Sequence, residues 1–519
     1  MNKFISIDQG TDFCKVAHIT KSGTVEVIPN KDGDLKTPSI VSWASGKPVV
    51  GKGALPDLIL NPKYVARRTK RYMGKNTESG KPIPVTPGPD GDDKTAVDSA
   101  AAILAYLKDS AETYLGEKVD AAVITVPANS DAAARDNTKA AARIAGLTRV
   151  VLEDEPVAAG TYYELEKGRD ENAVVVDFGG GTTDLNFIEK EDKQVKVTLT
   201  ENDAVLGGGN YEEAMLEWEC NEAKPQGIEI SAEKDLATFY QNLDRTREAK
   251  EMLSRREEVT LVAEANGKRL PIKFTRQMLR EVGRPFDERF SNCCRRLLEK
   301  IRSQGKKIDR VLLVGGSIRL PHVPEMIQEV FGMEPSRDTD PDFAVVKGAA
   351  LLAARHFGDK DQVLKVGEHR YLAPEICVQK VAAHAICVAA RRKKPEDDGK
   401  EYNVAIVPAG IPLPYDFEGR FAPVKPGQSS IIVKIVQGDP ESLSDNCPII
   451  RKFTVPIQPC TEDLERILLK GRYTEEALIE MTVVDDLLNK PINVSFTYKA
   501  GLSEAEIDEK RDQLRRDME

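Results

Sequence analysis

Two short stretches, Ile7-Asp8-Gln9-Gly10-Thr11-Asp12 and Asp177-Phe178-Gly179-Gly180-Gly181-Thr182-Thr183-Asp184, repeat one design far apart in the chain. In each, a β-rich run (Phe4 to Ile7; Ala173 to Val176) ends in an aspartate, turns through glycine and threonine, and resumes as a second strand. Glycine at the turn permits positive φ and removes the Cβ that would hold a polyphosphate away, so successive backbone N–H groups can converge on its oxygens. The aspartate at each strand end is placed to organise a hydrated Mg²⁺ against those oxygens. One Asp-Gly turn is an ordinary hairpin connection. Two of the same design point to a phosphate.

A third glycine turn supports this reading. Val311-Leu312-Leu313-Val314-Gly315-Gly316-Ser317-Ile318-Arg319-Leu320-Pro321 reads as a buried strand running into a glycine pair, followed by a helix from about Pro324 to Phe331. The glycines let the backbone lie flat against a ring or phosphate, and a helix N-terminus adds partial positive charge.

At 519 residues the chain is long enough for two or three domains, and 40% hydrophobic with 30% charged residues is an ordinary globular composition. A net charge of −10 argues against general nucleic-acid binding. No apolar run reaches membrane-spanning length, and Met1-Asn2-Lys3 leads directly into a strand, so a cytoplasmic protein is expected. Eight cysteines without CxxC spacing read as thiols in a reducing compartment.

Alternating strand and helix patterns up to about Arg355 imply two α/β halves with a cleft between them. Helices are expected over Thr95 to Leu115, Asp131 to Ile144, Ser231 to Arg256, Arg276 to Ile301 and Asp342 to Arg355, and the Pro/Gly-rich Lys75 to Lys94 must be a loop or clipped hairpin. From Gly358 to His369 the pattern dissolves into a charged linker. Short β-type runs then follow (Ala385 to Ala390, Val404 to Val407, Ser430 to Val436, Ile492 to Tyr498), with Arg391 to Lys400 as a solvated hairpin loop. Ser503-Glu504-Ala505-Glu506 opens a short terminal helix with a capping box.

Taken with Val123-Ile124-Thr125-Val126-Pro127-Ala128, Leu152-Glu153-Asp154-Glu155-Pro156-Val157-Ala158-Ala159-Gly160 and Leu206-Gly207-Gly208-Gly209-Asn210, the chain resembles the heat-shock-protein-seventy (DnaK-type) chaperones, in order from Phe4 to about His356 and more weakly to about Lys510. The resemblance implies a two-lobed actin-like ATPase with ribonuclease H-like halves, followed by a β-sandwich peptide-binding domain. The corresponding divisions are 1–357, a linker 358–370, a β-rich domain 371–502 and a lid remnant 503–519. It implies ATP or ADP with Mg²⁺ as cofactor, an unfolded or extended polypeptide as partner, and a J-domain co-chaperone and nucleotide-exchange factor as possible partners.

Residue by residue, the resemblance places Gly10, Thr11 and Asp12 in the first phosphate hairpin and Gly179, Gly180, Gly181 and Thr182 in the second, with Gly207 and Gly208 beside them. Asp8, Glu155 and Asp177 would hold the metal, mainly through water. Lys70, in Thr69-Lys70-Arg71-Tyr72, falls where the family puts the lysine that touches γ-phosphate and attacking water, and Glu155, Asp177 and Thr182 complete the catalytic set. Lys250 and Ser254 would meet ribose and adenine; Gly315, Gly316, Ser317, Arg319 and Asp342 line the remaining wall. Pro127 and Arg135 match the residues that relay lobe closure to the β domain.

Several positions depart from the family pattern. Asp12 stands where a small hydroxyl residue is usual and brings negative charge towards phosphate. In Arg247-Glu248-Ala249-Lys250-Glu251, the expected glutamate and arginine are exchanged at Arg247 and Glu251, which removes one side of the cation–π clamp on adenine. Lys365 interrupts the apolar linker, the lid after Leu502 is reduced to one short helix, and Val151 replaces the basic residue usually offered to a J-domain, with Arg149 nearby. Two other readings stay open: an ATP-dependent switch or scaffold with a dedicated protein partner, and a sugar or acyl-phosphate kinase on the same fold.

Overall fold

The strand Lys3–Gln9 pairs in parallel with Val119–Val126 on one side and antiparallel with Phe13–Ile19 on the other. In the computed structural model, residues 3–518 are described apart from 78–80, 90, 129, 168–170, 192–193, 337–339, 380, 383, 392–398, 463, 476–478, 489–490 and 497–501. Around that first strand a mixed sheet forms, extended by Arg149–Asp154 at one edge and by Val25–Ile28 and Thr37–Pro38 at the other. A second mixed sheet repeats the plan. Ala173–Phe178 lies parallel to Arg310–Val314 and antiparallel to Thr183–Glu191, which in turn pairs with Gln194–Asp203. The near-continuous apolar runs of these central strands fit their burial on both faces.

Two helices, Glu155–Lys167 and Ala344–Phe357, pack together in a core that takes Ala17 and Val123 from the first sheet and Val175, Ile188 and Leu312 from the second. Their contact faces are rich in alanine (Ala158, Ala159, Ala349, Ala350, Ala353), which lets them lie close. The tie between the sheets is therefore apolar and dense, as interiors of this packing require.

The expected helices are present over Ala96–Leu115, Ala132–Ile144, Arg276–Ser303 and Val323–Phe331. The helix expected from Ser231 begins later, at Leu236–Leu253, because Asp235 caps it by accepting from Thr238 N. The clipped hairpin is real, with Pro84–Thr86 against Lys94–Thr95.

Residues 358–370 are not patternless. Val363–Val366 and His369–Leu372 form a two-stranded hairpin, Leu364 and Val366 are buried, and Lys365 N donates to Gly23 O at 2.7 Å. Lys365 faces outward between two buried apolar neighbours, so strand alternation accommodates the charge that a run of leucines would not contain.

Beyond it stand two four-stranded antiparallel sheets. One is built from Ile386–Arg391, Glu401–Val407, Ser430–Gln437 and Ile449–Pro456; the other from Tyr415–Phe421, Ile467–Tyr473, Ile479–Asp485 and Ile492–Phe496. Both turn apolar residues, among them Val388, Ile435, Leu469 and Met481, into one shared core. Four of the eight strands were not singled out in the sequence, and most of the tract Arg391 to Lys400 lies outside the described residues. The terminal helix Glu504–Met518 buries Ile507 and Leu514 in the core of the first sheet and pairs Arg143 with Glu504 and Lys510 with Asp98. Among the described residues no helix is long and apolar enough to cross a membrane.

Candidate functional site

The two hairpins face each other across a cleft of about 790 Å³. Of the residues expected at the site, all but Gly181, Gly207 and Gly208 line it. Gly208 N donates to Gly179 O at 3.0 Å and ties the second hairpin to the helix Gly208–Ala223, whose start is fixed by Gly207 N donating to Asn210 Oδ1 at 2.8 Å.

Two glycines show why the turns need that residue. A Cβ on Gly180 would stand 1.8 Å from Asp12 Oδ2, so the two hairpin tips meet with no room for a side chain. Gly315 has φ +86°, and a Cβ there would lie 2.5 Å from Phe178 O. Ser317 Oγ donates to Gly179 O at 2.8 Å and fastens the third turn to the second hairpin.

Between the hairpins the charges are paired. Lys70 Nζ is 2.5 Å from Glu155 Oε1, and Lys15 Nζ is 2.7 Å from Asp8 Oδ2. Burial alone would lower both lysines, but the carboxylates around them (Glu155 and Asp8 for Lys70, Asp8 for Lys15) outweigh it and hold both ammoniums above the ordinary lysine value. Burial pushes the Glu155 carboxyl up, with Asp8 adding to it against Lys70. Asp177 is driven well above the usual carboxylate range by burial and then by Glu155, Asp184 and Asp8, and burial with Glu155 raises Asp184 to about 7.

Asp12 does not leave an open negative charge on the phosphate site. Arg68 Nε donates to its Oδ1 at 3.0 Å, while the same guanidinium pairs with Glu212, whose other oxygen takes Lys250 Nζ at 2.6 Å. Burial opposes ionisation of Asp12, yet Arg68 and Lys250 still hold its carboxyl below the ordinary range. A chain of alternating charge thus runs from the first hairpin across to the helix Leu236–Leu253.

On the far wall, Arg319 Nη1 donates to Asp342 Oδ1 at 2.9 Å, and Asp342 also pairs with Lys36. Glu251 lines the same wall, together with Arg255 and Arg256. Arg247 lines the cleft within 3.9 Å of Asp244. Sequence reasoning missed Lys15, Lys36, Arg68, Arg255 and Arg256. Only Lys15 had a local signal, since it follows the first hairpin within the strand Phe13–Ile19.

Asp8, Glu155 and Asp177 bring three carboxyl groups to one cleft, which suits a cation beside phosphate. Among the described residues no three such groups stand close enough to grip a metal ion directly, and Asp8 and Glu155 each already hold an ammonium. The set therefore fits a hydrated ion held through its waters.

Away from the cleft, Arg135 pairs with Asp154 and donates to Ser130 O at 3.2 Å. Ala132 N donates to Gln437 Oε1 of the first antiparallel sheet at 3.2 Å, and Tyr473 of the second sheet is half-buried within electrostatic reach of Arg135 and Asp154. Arg149 pairs with Asp120 at 2.9 Å and lies over the Phe357 ring.

Paired glycine hairpins on two mixed sheets, joined to a pair of antiparallel sheets, define a two-sheet cleft protein with an appended β region. Sequence comparison narrows the class. The family model described as "Hsp70 protein" matches residues 4–519. The "Chaperone protein DnaK" of Stenotrophomonas maltophilia (strain R551-3) is 32% identical over 538 aligned positions, covering 98% of this chain and 80% of that one. The chain belongs to the Hsp70 family, whose members are ATP-dependent molecular chaperones that bind ATP and ADP, usually with Mg²⁺.

Proposed function

We propose that this chain binds and hydrolyses ATP in the cleft between its two hairpins and couples the nucleotide state to binding of an extended apolar polypeptide by its β domain. The observation that carries the reading is the meeting of the hairpin tips, Gly180 against Asp12, beside the Lys70–Glu155 pair. On this reading residues 1–357 are a two-lobed actin-like ATPase with ribonuclease H-like halves, 358–370 the linker, 371–502 the peptide-binding β-sandwich and 503–519 a lid-related helix.

Phosphoryl transfer to water asks for positioning and for charge on the transferring oxygens. The backbone N–H groups of Gly10, Thr11, Gly180 and Thr182 would receive the β- and γ-phosphates, while Gly179 N donates to Thr182 O at 3.0 Å and closes the second turn. Lys70 would bear on the γ-oxygens as charge develops, and Glu155, held by Lys70, would orient the attacking water. Mg²⁺, when bound through water by Asp8, Asp177 and Glu155, would supply further charge neutralisation. Lys250 and Ser254 would contact the ribose, and Arg319 one face of the base.

The hydrogen bond from Ala132 N to Gln437 and the nearness of Tyr473 to Arg135 support coupling, because closure of the cleft would move the strand and helix that meet them. β domains of this kind bind extended segments through backbone hydrogen bonds and a side-chain pocket. A J-domain co-chaperone and an exchange factor belong to the reading as partners, with Val151 and the occupied Arg149 weakening the first.

Stopped-flow release of a labelled apolar peptide tests the coupling. ATP should accelerate release by a few-fold or more over the nucleotide-free rate. Tight ATP binding with no affinity for any apolar peptide would instead favour a nucleotide switch serving a dedicated partner.

A further inference from the structure

We infer that Lys15 is a phosphate-binding residue of this cleft, an ammonium built into the first hairpin that does part of the work of a bound metal cation. The inference rests on the nucleotide reading of the cleft and extends it to a residue with no role in that reading.

The strand pairing puts Lys15 directly opposite Asp8, the residue that ends the first strand of the hairpin. Both side chains point into the cleft, and their charged atoms are 2.7 Å apart. An ammonium carries three N–H donors, and among the described contacts Lys15 gives one to Asp8. The remaining donors belong to a side chain only 14% exposed, yet set in the lining of the cleft, beside the tips of both hairpins. Lys70 occupies a matching place on Glu155.

A polyphosphate entering this cleft meets two fixed cations whose positions are already paid for by their carboxylate partners. Charge that is preorganised in a low-dielectric site acts on phosphate oxygens without waiting for an ion from solution. The plainer alternative is that Lys15 only neutralises a buried Asp8. The two readings differ in what happens when metal cations are removed.

Calorimetric titration of the full chain with ATP and with ADP, in excess Mg²⁺ and again in excess EDTA with a bulky organic cation as the only salt, separates them. The wild-type protein should lose no more than about tenfold in affinity in EDTA, about 1.4 kcal/mol. Lys15→Met should bind more weakly than wild type in both conditions, and its loss on passing from Mg²⁺ to EDTA should exceed the wild-type loss by about tenfold or more. Because Lys15→Met leaves Asp8 unpaired and can destabilise the fold, the double variant Lys15→Met with Asp8→Asn is measured beside it. It removes the ion pair without stranding a charge, so its thermal midpoint should recover while its affinity in EDTA stays low. Recovery of EDTA affinity in the double variant, or equal EDTA losses in wild type and Lys15→Met, would overturn the inference and leave Lys15 a neutralising partner. Absence of ATP binding by the wild type even in Mg²⁺ would overturn the nucleotide reading and this inference with it.

Discussion

The two hairpins share a backbone plan and differ in the charge that faces the strand-end aspartate. In the first, the residue paired across from the strand-end aspartate is Lys15; in the second it is another aspartate, Asp184 facing Asp177. The strand-end aspartate of the first hairpin is therefore neutralised within the hairpin, with Asp8 and Lys15 in contact, while the second concentrates carboxyl groups that burial and neighbouring carboxylates push above the ordinary range. One fold motif used twice has been given opposite electrostatic tasks. The first brings its own cation. The second relies on Lys70, which feels Glu155, Asp8 and Asp177 together, and on cations brought from outside.

If Lys70 is the cation shared by both hairpins, Lys70→Ala is the substitution with the largest effect. Hydrolysis in a single turnover should fall by about 10²-fold or more, whereas ATP affinity should stay within about tenfold, because this charge acts mainly on the transition state. Unchanged single-turnover hydrolysis would remove Lys70 from the site and leave the hairpins without a common partner.

A smaller effect tests the second hairpin alone. A carboxyl held at about 7 in the folded protein, against an ordinary value of 3.8, takes up a proton on folding between those two pH values. Stability contributed by Asp184 therefore falls as pH rises from about 4 to about 7 and stays lost above that. In the nucleotide-free protein Asp184→Asn should raise the thermal midpoint by a few degrees at pH 8 relative to wild type, with the advantage shrinking towards pH 4. A constant offset across that range would mean that the second hairpin is not electrostatically strained.

The smallest effect lies on the base side of the cleft, away from both hairpins. Glu251 lines the wall near Arg319, so Glu251→Arg should tighten ATP by about 0.5–2 kcal/mol if stacking on adenine is restored. Its effect on inorganic triphosphate should be much smaller, since that ligand has no ring to stack and meets the hairpins and Lys70. Weaker ATP binding in the variant would show that Arg255, on the same wall, already fills the place and that the new arginine repels it.

Much of this was legible along the chain. Glycine two residues after an aspartate at the end of a buried strand is a local signal, and so were the helix caps and the long apolar periodicities. Within the β domain, only four of eight strands stood out. Tyr415–Phe421 and Ile467–Tyr473 each place a glycine, Gly419 and Gly471, on the inward face, and Leu468 lies among the outward residues, which breaks the period of two when no partner strand is in view. The hairpin at 363–372 was hidden for the same reason: only the docked neighbour at Gly23 shows which of its residues are inside.

By itself the sequence determined the two glycine hairpins, the third glycine turn, the change to short β runs in the last third of the chain and the family, because each rests on residues adjacent in the chain. Only the tertiary structure decided the charges. Asp12 reads as a hindrance to phosphate until Arg68 is seen to pair with it, and Arg68 is placed there by a separate segment that also reaches Glu212. Lys15 looks like one more surface lysine until strand register sets it opposite Asp8 inside the cleft. Electrostatic partners are chosen by distance through space, and distance between segments far apart in the chain exists only once the chain has folded.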